Sequence, residues 1–285
     1  MHSLSTLLRT KRGLVSLTIN SLAAFGVLGG VVQLYTAVLS PPPIPGAWIV
    51  SAVVAISAGW GVYRAYPRSS LTREFQVPDI KIRVNVGDLF DQKTHLAIGF
   101  SDTFDTDTSD GIIYPKSLQG QLLGRVFHGD LAGLNRLLDA ALKSVKHVQK
   151  ESRRRKPKGK RVRYPLATVA TIRRDKFLYF CIAYTKMGND LVAQSSIDDL
   201  WRSLSELWQE VHRRAHREPI SIGLVGSELA RIGCVNRESL LKIILLSFVA
   251  QSREEVVSRE LTVVIHPSDV HHLNMLEIDA FIRSL

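Results

Sequence analysis

The chain has 285 residues, of which 45% are apolar, a formal net charge of +11 and two cysteines, which leaves room for one or two domains with a sizeable core and excludes a disulfide-stapled scaffold. The charge is local. Residues 1–73 hold six Lys or Arg and no acid, residues 150–163 hold nine basic residues and one acid, and the rest sums to −3, so a nucleic-acid-binding face built into the fold is not supported.

Between Gly13 and Tyr63 there is no Asp, Glu, Lys or Arg. The run divides at SPPPIPG into segments 14–39 and 44–63, which as helices would reach about 39 Å and 30 Å at 1.5 Å per residue. Either can cross a hydrocarbon core of about 30 Å, and a second span argues against a cleaved signal peptide. Arg9, Lys11 and Arg12 precede the first span, and Arg64, Arg68 and Arg73 follow the second. By the positive-inside rule both termini are then cytoplasmic in a multi-pass membrane protein. The expected organisation is a transmembrane hairpin over 1–66, a linker over 67–78 and a cytosolic domain over 79–285. Gly26 and Gly30, and the stripe Ser51, Ala55 and Gly59, suit close helix packing within or between chains, while Asn20 and Gln33 are polar residues that could bond across helices or face water.

From Ile80 onward strand and helix patterns alternate. IKIRVNV (80–86) and HLAIGF (95–100) read as strands. SLQGQLLGRVF (117–127) and 130–148 read as helices, the second with Leu131, Leu134, Leu138 and Leu142 along one face. The basic run 150–163, with Pro157 and Gly159, reads as a solvated loop that could contact the anionic face of a lipid bilayer. Residues 164–185 read as a hairpin turning at Arg173 to Lys176. Residues 196–216 open with a Ser cap and early acids and close with Arg and His, as a helix does. A strand near 219–224, a Gly-rich loop, a helix, a strand over 261–267 and a last helix complete the pass. The fold class expected is α/β, a layered sandwich with a mixed sheet.

In such sheets ligands sit beyond the carboxyl ends of strands. NVGDLF, where Gly87 and Asp88 end a strand, is one such place. The loop holding Gly226 and Gly233 is another, where bare backbone close to a helix start suits a diphosphate and Arg231 could add a charged contact. Its spacing is neither a P-loop nor a Rossmann fingerprint. Asp102, Asp105, Asp107 and Asp110 could offer a base or a metal site, but a solvated acidic loop is the commoner meaning of such a run. His212 and His216 lie one helical turn apart without a third ligand, and no metal site is expected from them. Cys181 and Cys234 lack metal-type spacing and fit a reducing compartment.

The order of elements, with GD after the first strand and a late Gly-rich loop, is similar to the macro domain, the ADP-ribose-binding α/β/α fold. That resemblance implies that Asp88, with Leu89 beside it, accepts the adenine amino group. It also implies that the loop of Gly226, Ser227, Glu228, Leu229, Ala230, Arg231, Ile232 and Gly233 wraps the diphosphate, with Gly223 before it also in the ligand site. The two spans together with FDT (104–106), IYPKSLQGQLL (113–123) and GLVGSELARIG (223–233) resemble the macro-domain effectors of Thoeris antiphage defence. The resemblance implies a bacterial inner-membrane protein that senses a nucleotide signal made from NAD by a TIR-domain enzyme. In this form the signal is a histidine conjugate of ADP-ribose, and its arrival leads to self-association and membrane damage. Phe104, Asp105, Thr106, Ser117, Gln119, Gly120 and Gln121 would then surround the distal ribose and its attached group. The Asn-rich and GGG-type loops of hydrolytic macro domains are replaced here by GFSDTFDTDTSDG and YPKSLQGQLL. Binding without turnover, with no catalytic residue and no cofactor, is therefore the expectation, and an ADP-ribosyl hydrolase is the alternative.

Overall fold

The computed structural model describes residues 11–39, 45–65, 70–224 and 236–285. Its packing divides the chain into two units, residues 1–69 with 274–280, and residues 70–273 with 281–285.

In the first unit, α1 (Lys11–Leu39) and α2 (Gly46–Ala65) form a helical pair. Leu14–Val38 and Gly46–Arg64 are each long and apolar enough to cross a membrane. The helices meet where Gly61 leaves room for Ser21: a Cβ on Gly61 would fall 1.9 Å from the Ser21 hydroxyl oxygen. Around Gly26, Gly30 and Gly59 an added Cβ meets nothing within 4 Å, so these glycines are not the seam of the pair. Asn20 donates to the Ser16 carbonyl oxygen of its own helix at 2.7 Å.

The second unit is built on a mixed sheet. Its strands are β1 (Ser70–Phe75), β2 (Ile80–Val86), β3 (His95–Ser101), β6 (Val169–Arg174), β7 (Phe177–Met187), β9 (Ile220–Gly223) and β10 (Glu260–Ile265), in the order β1-β2-β10-β9-β3-β7-β6, with β8 (Ala193–Gln194) paired to β7. Two short strands, β4 (Gln149–Lys150) and β5 (Val162–Arg163), pair separately. From β2 to β7 the neighbours are parallel, and β1 and β6 add antiparallel edges. The hairpin that implied a mixed sheet is β6–β7. The linker expected over 67–78 contains β1, a largely exposed strand whose polar sequence SLTREF carries little period-two signal.

Helices cover the sheet because strand side chains alternate faces. Leu96, Ile98 and Phe100 of β3 and Tyr179, Cys181 and Ala183 of β7 share a core with Leu134, Leu138 and Leu142 of α4 (Leu131–Leu142). Burial within this core pushes the Cys181 thiol well above its ordinary pKa. Alternate β7 residues belong to the other face, where α5 (Ile197–Ala215) packs. The helix α6 (Arg237–Glu254) lies against α5: Trp208 donates its indole N–H to the Ser247 hydroxyl at 2.9 Å and meets Phe248 edge-on. Ser196 and Asn236 cap these two helices, each accepting a backbone N–H with its side chain. The helix expected over 117–127 divides into a single α-turn, α3 (Leu118–Gln121), and a π-turn over Leu122–Val126. The last helix is α7 (Met275–Ser284).

Two charged segments depart from their sequence reading. Asp102 and Asp105 are not in a solvated acidic loop, and the basic run is not solvated throughout. The Lys156 side chain is fully buried and donates to an Asp105 carboxylate oxygen at 2.9 Å. Arg163, also buried, donates to Asp102 at 2.8 Å, to Glu151 at 3.0 Å and to the Met187 carbonyl at 2.7 Å. The second Asp102 oxygen accepts the Met187 N–H at 2.8 Å, and Thr103 donates its hydroxyl to Asp105 at 2.6 Å. Either run alone would be kept out of the interior by the cost of desolvating charge. Brought together, with hydrogen bonds completing each group, they are buried as a unit. Arg153, Arg154 and Arg155 remain exposed.

Replacing Lys156 leaves the Asp105 carboxylate buried and short of its cation. Lys156→Met should therefore cost about 3–5 kcal/mol, read as a lowered urea midpoint of the full chain in detergent. Adding Asp105→Asn should recover much of it, and an unchanged midpoint in the single variant would contradict the burial of this pair.

Candidate functional site

β10 pairs in parallel with both β2 and β9, bringing Val86, Gly223 and Ile265 to one end of the sheet. Gly87–Leu89 after β2, Leu224 after β9 and His266–Asp269 after β10 therefore meet, and the segment entering α3 closes the space. The result is a cavity of about 590 Å³, within the roughly 300–1,000 Å³ of ordinary ligand pockets. Gly87, Asp88 and Leu89 form one wall, Gly223 and Leu224 another, His266, Ser268 and Asp269 a third, and Tyr114 to Leu118 with Gln121 the fourth.

Asp88 is held from two sides. As the cap of the 3-10 turn Leu89–Asp91, one carboxylate oxygen accepts the Phe90 N–H at 2.8 Å. The other is 2.5 Å from the Arg125 guanidinium, which also reaches Asp91 at 2.8 Å and lies over the Phe90 ring. The hydrogen bond to Asp88 is the main cause that raises the Arg125 pKa above its ordinary value. Asp88 thus presents fixed acceptor oxygens at the cavity wall.

The opposite wall is a tight turn. Ser117 caps α3, accepting the Gly120 N–H at 3.1 Å and donating to the Tyr114 carbonyl at 2.7 Å. A Cβ on Gly120 would lie 2.5 Å from the Tyr114 carbonyl oxygen and 2.7 Å from that of Pro115, both backbone atoms that cannot swing aside. At Gly223 an added Cβ would sit 2.6 Å from a Leu118 methyl, so the end of β9 and α3 touch directly. On the third wall, His266 and Ser268 share a 2.7 Å side-chain hydrogen bond. The buried Asp269 lies 3.2 Å from Arg237 at the start of α6.

Of the residues named from sequence, Gly87, Asp88, Leu89, Ser117, Gln121 and Gly223 line this cavity. Gly120 lies beneath the wall, and Gln119 turns its amide to the Asp105 carbonyl. Phe104, Asp105 and Thr106 are buried elsewhere: Phe104 stacks on Phe100, Asp105 meets Lys156, and Thr106 donates to Asn135 at 2.6 Å. Gly226, Ser227, Glu228, Leu229, Arg231 and Gly233 lie outside the described residues, between Leu224 on the cavity wall and α6. Tyr114, Pro115, Lys116, His266, Ser268 and Asp269 also line it and carry no binding assignment from sequence. The strand-end rule that singled out NVGDLF, applied equally to LTVVIHP, would have pointed to the last three. Among the described residues no group of His, Cys, Asp and Glu is arranged to hold a metal ion, and His212 instead meets Glu255 at 2.9 Å.

Residues 82–266 match the profile of the family described as Thoeris protein ThsA, Macro domain. The Thoeris protein ThsA of Bacillus amyloliquefaciens (strain Y2) is 24% identical over 208 residues, covering 70% of this chain and 67% of that relative. A solved macrodomain mutant from Oceanobacillus iheyensis aligns with a TM-score of 0.51 at 10% identity, over 76% of this chain and 100% of its own. A second mutant of that macrodomain gives 0.49 at 12% identity, over 75% and 94%. At 10% identity the first of these macrodomain likenesses is one of fold.

The Gly120 contacts give a direct check on the fourth wall. Gly120→Ala should destabilise the chain by about 1–3 kcal/mol, the usual cost of overpacking, as a shift in its denaturation midpoint. A neutral outcome would mean that the Tyr114–Gly120 turn is looser than described.

Proposed function

This chain belongs to the family of Thoeris ThsA macro-domain proteins, and from that premise we propose that it is a membrane-anchored antiphage effector whose cavity senses an ADP-ribose-type nucleotide. The observation that carries the reading is the cavity itself. It stands at the carboxyl ends of three adjacent parallel strands, with the fixed Asp88 acceptor on one wall and Gly223 and Leu224, which precede residues 225–235 in the sequence, on another. Asp88 would accept the adenine amino group. Gly226, Ser227, Glu228, Leu229, Arg231 and Gly233 would wrap the diphosphate, and Ser117 with Gln121 would face the distal ribose and the group attached to it. The signal would be histidine-ADP-ribose, supplied by a TIR-domain enzyme.

The membrane role has its own support. Val27, Leu34, Val38 and Trp48 are 67%, 68%, 75% and 73% exposed. Apolar area left in water costs about 25 cal/mol per Å², and a bilayer removes that cost. We place 1–66 as the inner-membrane hairpin, with both termini cytoplasmic, and 79–285 as the cytosolic sensor. The open space around Gly26, Gly30 and Gly59 leaves those faces of the helices available to further copies of the chain. Ligand would drive assembly and membrane disruption only as far as it binds the assembled state more tightly than the resting one.

Binding without turnover is favoured over hydrolysis. Asp102 and Asp105, the carboxylates a hydrolase would draw on, are enclosed by Arg163 and Lys156, and neither lines the cavity.

Calorimetry on the full chain in detergent, with ADP-ribose and with its histidine conjugate, tests this reading when the recovered ligand is chromatographed. We expect binding of both with the ligand intact. Asp88→Ala should lose about 1.5–3 kcal/mol, the usual worth of a hydrogen bond to a charged group, or roughly ten- to 150-fold in affinity. Gly226→Val and Arg231→Ala should abolish ligand-driven dye release from liposomes. Recovery of cleaved ligand would favour the hydrolase, and no binding by the wild-type chain would end the nucleotide reading.

A further inference from the structure

A second cavity of about 350 Å³ lies between α4 and the folded-back basic segment, and it shares no lining residue with the first. The charged residues on its wall are Lys150, Lys160, Arg161 and Asp139, three cations against one carboxylate. Lys160 is the unusual member. Its ammonium nitrogen is closed off from solvent and makes no hydrogen bond. Its ion-pair partner Asp139 is 3.8 Å away, beyond hydrogen-bonding distance, and is itself 69% exposed. The nearby buried carboxylate, Asp105, is engaged by Lys156 and takes only the backbone N–H of Lys160. The Lys160 carbonyl in turn accepts from Lys156. Both backbone groups of Lys160 are therefore anchored, which fixes where its side chain enters the wall.

An ammonium has three donors and no acceptor, and enclosing one without a partner is costly. Burial accordingly lowers the Lys160 pKa below its ordinary value. The Lys160 side chain is 29% exposed, and with no hydrogen bond to break its ammonium can turn to an anion placed in the cavity, whose acceptor oxygens would satisfy these donors and draw on Lys150 and Arg161 as well. The chain has just this combination of enclosed cation, cationic wall and room for a small group.

We propose that this second cavity is a binding site for a phosphate group, with Lys160 as its direct ligand and Lys150 and Arg161 completing the charge. The phosphate can come from a phospholipid headgroup or from a soluble phosphate compound. The inference does not depend on the nucleotide reading of the first cavity.

The test uses the full chain in maltoside micelles, which carry no phosphate, titrated with inorganic phosphate while thermal stability and calorimetric heat are followed. Saturable binding and a Tm that rises with phosphate are expected. Lys160→Met should weaken binding by at least about tenfold and leave the phosphate-free Tm unchanged or higher, because it removes an unpartnered charge. Arg153→Met removes the same charge from an exposed position of the same run outside the cavity, and should change affinity less than about twofold. Lys150→Met with Arg161→Met gives an independent check should Lys160→Met fail to fold, since both of these residues are exposed. In nanodiscs of phosphatidylglycerol, competition against added phosphate would identify the lipid headgroup as the source. Undiminished binding there would identify a soluble phosphate compound. No saturable binding in micelles, or equal weakening by Lys160→Met and Arg153→Met, would overturn the proposal.

Discussion

The buried pairing of two carboxylates with two cations, Asp105 with Lys156 and Asp102 with Arg163, is the interaction on which much of the second unit turns. It ties the loop after β3 to a segment more than fifty residues later, and so folds a strongly basic run onto the domain instead of leaving it in water. Three consequences follow from that one constraint. The carboxylates that could have served as bases are enclosed and engaged. The Phe104–Thr106 segment becomes interior, with Phe104 between Phe100 and Tyr164. Lys160 is carried to a cavity wall with its ammonium unsatisfied. Buried ion pairs are weak evidence of net stability, because desolvation offsets most of their attraction. Removing Lys156, Asp105 or Arg163 leaves an uncompensated charge in the interior, whereas Arg163 without Asp102 keeps Glu151.

The larger cavity has a different origin. Strands β2, β10 and β9 run parallel, so their carboxyl ends are gathered at one end of the sheet. Asp88 owes its position to capping the short turn after β2, and the Arg125 pairing fixes the carboxylate's second oxygen. Gly120 and Gly223 permit close approach on the facing wall, where side chains would collide with backbone in one case and with Leu118 in the other. The cavity is therefore a product of strand direction and of a few capping contacts, with little demand on side-chain chemistry beyond Asp88.

Much of the fold can be read in the sequence because its signals are local. The apolar runs of β2, β3 and β7, the four-residue spacing of Leu134, Leu138 and Leu142, and the Ser196 cap are each confined to a few residues. β1 escapes such a reading because it is a largely exposed edge strand, and the partner that makes it a strand lies across a turn. The charged segments escape it for a related reason. A run of acids or of bases is read as solvated when taken alone, and nothing in either run names its partner 51 or 61 residues away. Within the cavity, Asp88 and Gly223 stand out because they end apolar strands, whereas Tyr114, Pro115 and Lys116 depend on how α3 docks.

In the proposed nucleotide complex, Asp88 reads the adenine ring held in the larger cavity. The most direct test compares ADP-ribose with inosine diphosphate ribose, in which a carbonyl replaces the adenine amino group, on the wild-type chain and on Asp88→Asn. The wild-type chain should prefer the adenine compound by at least about tenfold, and the variant, whose amide can donate to the carbonyl, should lose or reverse that preference. The same preference in both proteins would show that Asp88 does not face the base, and the orientation assigned to the ligand would have to be abandoned.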